Sequence, residues 1–137
     1  MATITEARLE ITHDHKKKLV RPVVTCKVNF TPMELCLMRA CPEQRMFNLK
    51  CQLWGEDSFL TGADDHLWTY STVYYFPDPT PTATETRTFQ VVPDGVLGEG
   101  VLDEDWGTDE VYGKLILRNL FTLVQITRKT NVVSHRF

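Results

Sequence analysis

Apolar and polar residues alternate one for one over most of this chain, and that pattern restricts the fold more than any other feature. In "TEARLEITH" Ala7, Leu9 and Ile11 fall on one side, and Glu6, Arg8, Glu10 and Thr12 on the other. In "RPVVTCKVNF" Pro22, Val24, Cys26, Val28 and Phe30 oppose Val23, Thr25, Lys27 and Asn29. In "MFNLKCQLW" Phe47, Leu49, Cys51 and Leu53 oppose Asn48, Lys50 and Gln52. Successive side chains of an extended strand point to opposite faces, so a period of two makes one face dry and the other wet. Further runs of this kind are "HLWTYSTVYYF" (66–76), "TRTFQVV" (86–92), "EVYGKLILR" (110–118) and "FTLVQITRKTNVV" (121–133). About seven half-wet strands predict an all-β chain, an antiparallel two-sheet sandwich or a small barrel. The 137 residues suit one domain over 1–137.

One segment departs from alternation. In "FTPMELCLMRACPEQ" Thr31 stands as a helix N-cap, Pro32 at the first helical position and Glu34 three residues after the cap. That arrangement is a capping box, and Pro42 marks the far end, so a short helix is expected near 32–41. Leu35 and Met38 on one side, with Leu37 and Cys41 nearby, would cap an open end of the sandwich. "FPDPTPTATET" (76–86) has three prolines, which lack the amide donor a ladder needs, and reads as a connection between strands.

Charge is concentrated. Residues 94–113 hold seven acids (Asp94, Glu99, Asp103, Glu104, Asp105, Asp109 and Glu110) and no Lys or Arg, although the whole chain carries only −3. The rest of the chain is mildly basic. Its positive charge is too small and scattered to argue for nucleic acid as partner. No run is apolar for the roughly 18 residues a membrane helix needs, and the first residues lack the charged-then-apolar order of a signal peptide. The expectation is a cytoplasmic chain with no membrane contact. In that compartment the four cysteines, Cys26, Cys36, Cys41 and Cys51, are expected to be reduced. Their C-x9-C-x4-C-x9-C spacing does not fit paired zinc knuckles.

Three readings compete for "VLDEDWGTDEVYGKL" (101–115). Asp103, Asp105 and Asp109 offer oxygen ligands for calcium, on a loop without the EF-hand order, since Thr108 and Lys114 stand where Gly and Glu are needed. A catalytic carboxylate pair would need one desolvated partner, for which only Trp106 offers an apolar wall. The third reading is structural. "GTDEVYGKLIL" resembles the tyrosine corner of immunoglobulin-like sandwiches, with Asp109, then Tyr112, then alternation through Leu115 and Leu117. The resemblance implies a hydroxyl tied back to the backbone. It departs from that family at Lys114, where antibody domains have a cysteine.

Aromatic residues gather on the fourth strand, where Trp68, Tyr70, Tyr74 and Phe76 share a face. Such a row either fills the core or, if exposed, binds sugar rings, and Trp68, Tyr70, Tyr74 and Trp106 are the candidate ligand-binding residues. His13 and His15 share a strand face, but no second half of a metal site is identifiable from spacing. No nucleophile motif, phosphate loop or dinucleotide fingerprint is present. The expected function is therefore non-enzymatic: a self-associating or protein-binding β-sandwich module, a subunit of a larger assembly. The alternatives are a carbohydrate-binding module, calcium-assisted or without cofactor, and a small barrel cyclase or isomerase with an apolar pocket.

Overall fold

The computed structural model describes residues 1–41, 43–56, 64–71, 85–102 and 109–137, and the backbone of 74–76. It is an all-β, two-sheet antiparallel sandwich with one short helix. The strands are β1 (Thr3–Asp14), β2 (Leu19–Asn29), β3 (Phe47–Gly55), β4 (Asp65–Thr69), β5 (Tyr74–Phe76), β6 (Thr86–Val91), β7 (Leu97–Gly98), β8 (Asp109–Asn119) and β9 (Gln125–His135). The helix α1 spans Pro32–Ala40, and a single 3-10 turn spans Glu99–Val101. One sheet has the order β1-β2-β6, with β7 also on β2; the other has the order β4-β3-β8-β9, with β5 also on β3. No described helix is long and apolar enough to cross a membrane.

The excess over seven strands has two sources. The short β7 is one. The other is the expected 66–76 strand, which divides into β4 and β5. Both pair with β3, Thr69 opposite Gln52 and Tyr74 opposite Leu49, so two extra residues are accommodated between them. The last strand also starts later than alternation suggests. Asn119 accepts hydrogen bonds from the amides of Phe121 (2.9 Å) and Thr122 (3.1 Å), and Leu123 takes a positive φ of 64°. Residues 120–124 are thus a turn.

The core forms where the dry faces meet. Val24, Val28, Leu49, Cys51, Leu53, Val111, Leu115 and Leu117 are all buried there. Two β-bulges keep the stripes aligned. In β1 the register on β2 shifts between Thr5 and Arg8, and Glu6 adopts a φ of 51°. One extra residue there moves the inward position from the even Ile4 to the odd Leu9. In β9 the register on β8 shifts opposite Tyr112–Lys114 in the same way.

Pins of three kinds lock the sheets. The Tyr70 hydroxyl donates to the Pro22 carbonyl across the sandwich at 2.8 Å. Pro22 lies between the β2 segments that pair with β6 and β7, so its missing donor breaks no ladder on that side. Asn131 clamps the backbone of Leu9, accepting from its amide (2.8 Å) and donating to its carbonyl (3.2 Å). The helix carries the third pin. Its capping box is complete, and the buried Glu34 carboxylate also accepts from the Ala2 amide at 3.0 Å. Leu35 and Met38 are buried beneath it, and Leu37 is exposed. All four cysteines are free, Cys26 and Cys51 buried, Cys36 and Cys41 exposed.

Candidate functional site

Continuing the alternation of β3 past Gln52 puts Trp54 on the outer, wet face. The same count puts Tyr112, Lys114 and Arg118 of β8 outside, and register brings Thr127 and Lys129 of β9 beside them. Trp54, Asp64, Tyr112, Lys114, Thr127 and Lys129 line a shallow groove of about 380 Å³ on this face. The Tyr112 hydroxyl donates to Asp64 Oδ2 at 2.6 Å. Burial, followed by this bond to a carboxylate and the charges of Asp64 and Glu56, pushes the phenol above its ordinary range. Lys129 Nζ lies 4.0 Å from the Tyr112 ring centroid and Lys114 Nζ 5.0 Å from that of Trp54, both within cation–π reach. The indole N–H donates to Gln52 Oε1 at 3.1 Å, and the His66 ring meets the indole edge-on at 5.4 Å.

The charges on this face are not evenly mixed. Lys114 stands directly opposite Lys129, a like-charge pair that opposes strand pairing unless something offsets it. Lys129 is offset by Glu56 at 3.6 Å. Glu56 and Glu110 sit together at the far end of β3, joined through their backbone at 2.8 Å. The other end carries Lys50, Lys114 and Arg118 on neighbouring rungs. Among the described residues none of these three is ion-paired. Arg118 pairs with Gln125, beyond which the turn exposes Phe121, Leu123 and Val124. The cations thus lie on the end of the sheet that leads into this exposed turn.

The residues singled out from sequence fall in several places. Tyr70 is 2 % exposed and its ring belongs to the core. Burial, with the neighbouring Cys51 as a smaller cause, raises its phenol above the ordinary range. Trp68 is half-buried on the same side and meets the Tyr70 ring edge-on at 4.6 Å. Tyr74 pairs with Leu49 through its backbone, and its side chain lies outside the described residues, as do Trp106, Asp103 and Asp105. The calcium expectation therefore rests on residues beyond this description. Asp109 opens β8, is buried, and stands opposite His135.

The tyrosine-corner expectation requires a correction. Tyr112 lies on the outer face and binds a side-chain carboxylate. Among the described residues, the tyrosine that reaches backbone is Tyr70. The groove residues Trp54, Tyr112, Lys114 and Lys129 carried a signal that could have found them, since all occupy the wet phase of their strands. Only the cross-strand register, which no local pattern encodes, places them together.

These features define a two-sheet β-sandwich with a cationic, partly aromatic outer face. Comparison with models of protein families, with curated proteins and with solved structures returns no match.

Proposed function

We propose that this chain is a non-enzymatic, self-associating module that uses the outer face of the β4-β3-β8-β9 sheet to hold the acidic stretch of a second copy. The observation that carries this reading is the row of Lys50, Lys114 and Arg118, without ion-paired carboxylates among the described residues, beside the exposed turn of Phe121, Leu123 and Val124. The chain itself supplies a matching anion in residues 94–113, where Asp94, Asp103, Glu104, Asp105 and Glu110 stand besides the buried Asp109 and the His13-bound Glu99. A face that meets a different patch of an identical copy closes into a two-fold dimer where both reciprocal contacts form at once, and into a ring or filament where they do not. Charge complementarity of this sort sets orientation and association rate. Arg118 and Phe121 are of the residue types that interfaces favour.

Sedimentation velocity at low and high salt tests the reading. Assembly at low salt that weakens as salt screens the charges is the expected result. A monomer at both salt concentrations, at high protein concentration, contradicts it.

One observation favours a second reading. Trp54 and Tyr112 lie side by side in a groove with Asp64 and Thr127, which pairs stacking rings with hydrogen-bonding groups as sugar sites do. Glycan-array binding with and without chelator checks it, and silence in both arms counts against it.

A further inference from the structure

His13, His15 and His135 meet at the end of the sandwich where β1 and β9 run out. The two bulges bring them there. After the shift near Glu6, the inward positions of β1 are Ala7, Leu9, Ile11 and then His13, whose side chain is only 5 % exposed. After the shift in β9, the inward positions are Val133 and then His135. β1 and β9 lie side by side in the same direction, because Leu9 meets Asn131 and His13 meets His135 at the same sequence offset of 122. His15 follows in the turn after β1 and folds back, with its ring centroid 3.9 Å from that of His13.

We infer that these three imidazoles form a binding site for one divalent transition-metal ion of the zinc, nickel or copper class, with Glu99 as its orienting carboxylate. One candidate ligand atom from each histidine lies within 4.8 Å of the others. Tetrahedral coordination at about 2.0–2.1 Å would set ligand atoms roughly 3.4 Å apart. His13 Nδ1 and His135 Nε2 are 3.0 Å apart and need to open only slightly. His15 is exposed, with its ring centroid 5.9 Å from that of His135. A hydrogen bond between His13 and His135 accounts for the pair, but not for the third ring.

The opposite nitrogen of His13 supplies the independent observation. His13 Nε2 lies 2.8 Å from Glu99 Oε2, at the start of the 3-10 turn. Imidazoles that bind metals commonly donate their second ring N–H to a carboxylate, which fixes the tautomer and the ring orientation. Here that bond would leave the Nδ1 lone pair of His13 directed toward His135. Phe137 packs against both rings, at 5.6 Å from His13 and 4.8 Å from His135, and walls the site on one side. Three nitrogen ligands suit zinc, nickel or copper and do not suit calcium or magnesium, which take oxygen. They leave a fourth position for water or a further ligand.

Isothermal titration calorimetry of the full chain with zinc, nickel, calcium and magnesium chlorides tests the site. One equivalent of zinc or nickel is expected to bind, and neither calcium nor magnesium to compete with it. His15→Ala and His135→Ala should each weaken zinc at least tenfold, and Glu99→Gln by about 10- to 100-fold. His15 is exposed, so its variant keeps the fold, which circular dichroism verifies. The double variant Cys36→Ser/Cys41→Ser should bind as the parent does. Absence of stoichiometric binding, an affinity unchanged by His15→Ala, or loss of binding in the cysteine variant overturns the assignment.

Discussion

Replacing Tyr70 by phenylalanine removes one oxygen atom and leaves the ring that fills the core. The hydroxyl is buried and its partner is the carbonyl of Pro22 on the other sheet, at 2.8 Å. A buried hydrogen bond contributes about 0.5–1.5 kcal/mol net, and an acceptor left unsatisfied costs about 1–3 kcal/mol. The loss should therefore be about 1–2 kcal/mol. For a chain of this size that lowers Tm by about 3–8 °C. Tyr70→Ala also removes the ring and should cost about 3–5 kcal/mol. Urea unfolding of parent, Tyr70→Phe and Tyr70→Ala gives the three values, and the slope m should be the same for all of them. A Tyr70→Phe midpoint equal to the parent's would refute the claim that this hydroxyl fastens the two sheets.

Other outcomes follow from the same geometry. A Cβ on Gly113 would lie 3.1 Å from methyl carbons of Val24 and Thr130, so Gly113→Ala should cost about 1–3 kcal/mol, read by thermal unfolding. A thiol reagent should label Cys36 and Cys41 rapidly in the native protein and reach Cys26 and Cys51 only on unfolding; fast labelling of all four contradicts the fold. Burial raises the thiol of Cys26 to about 11 and, helped by the charge of Cys26, that of Cys51 to about 12, from an ordinary 9.0. Unfolded thiols ionise first, so stability is retained below pH 9 and falls as pH rises from there. The loss is about 1.4 kcal/mol per pH unit for each thiol until its folded value is passed. Denaturant midpoints at pH 8 to 10.5 measure that slope, and Cys26→Val/Cys51→Val should flatten it. Glu34→Ala leaves the amides of Ala2 and Thr31 without their acceptor and should cost about 1–3 kcal/mol by the same measurement.

The alternation at Val24 to Val28, at Leu49 to Leu53 and from Val111 onward was sufficient to read two sheets around one core. The capping box placed α1 to within a residue, because caps are local chemistry. Local pattern failed where a feature depends on register. The bulge at Glu6 is invisible in "TITEARLEI", since both of its phases look like strand. The split at residues 70–73 is equally hidden, because only pairing with β3 shows that two residues are in excess. The same limit applied to the sites. His13 and His15 were visible as a pair, but His135 and Glu99 join them only through the side-by-side run of β1 and β9 and the turn after β7. Trp54 and Tyr112 were each in the wet phase of their own strand, and nothing in either segment says that they are neighbours.

The central claim is that one copy's cationic face holds another copy's acidic stretch, and complementary charge reversal tests it most directly. One variant carries Lys50→Glu, Lys114→Glu and Arg118→Glu; the other carries Asp94→Lys, Asp103→Lys and Asp105→Lys. Sedimentation velocity at low salt should find each variant alone as a monomer and their equimolar mixture as a complex. A mixture that stays monomeric, or a first variant that assembles as the parent does, contradicts the account.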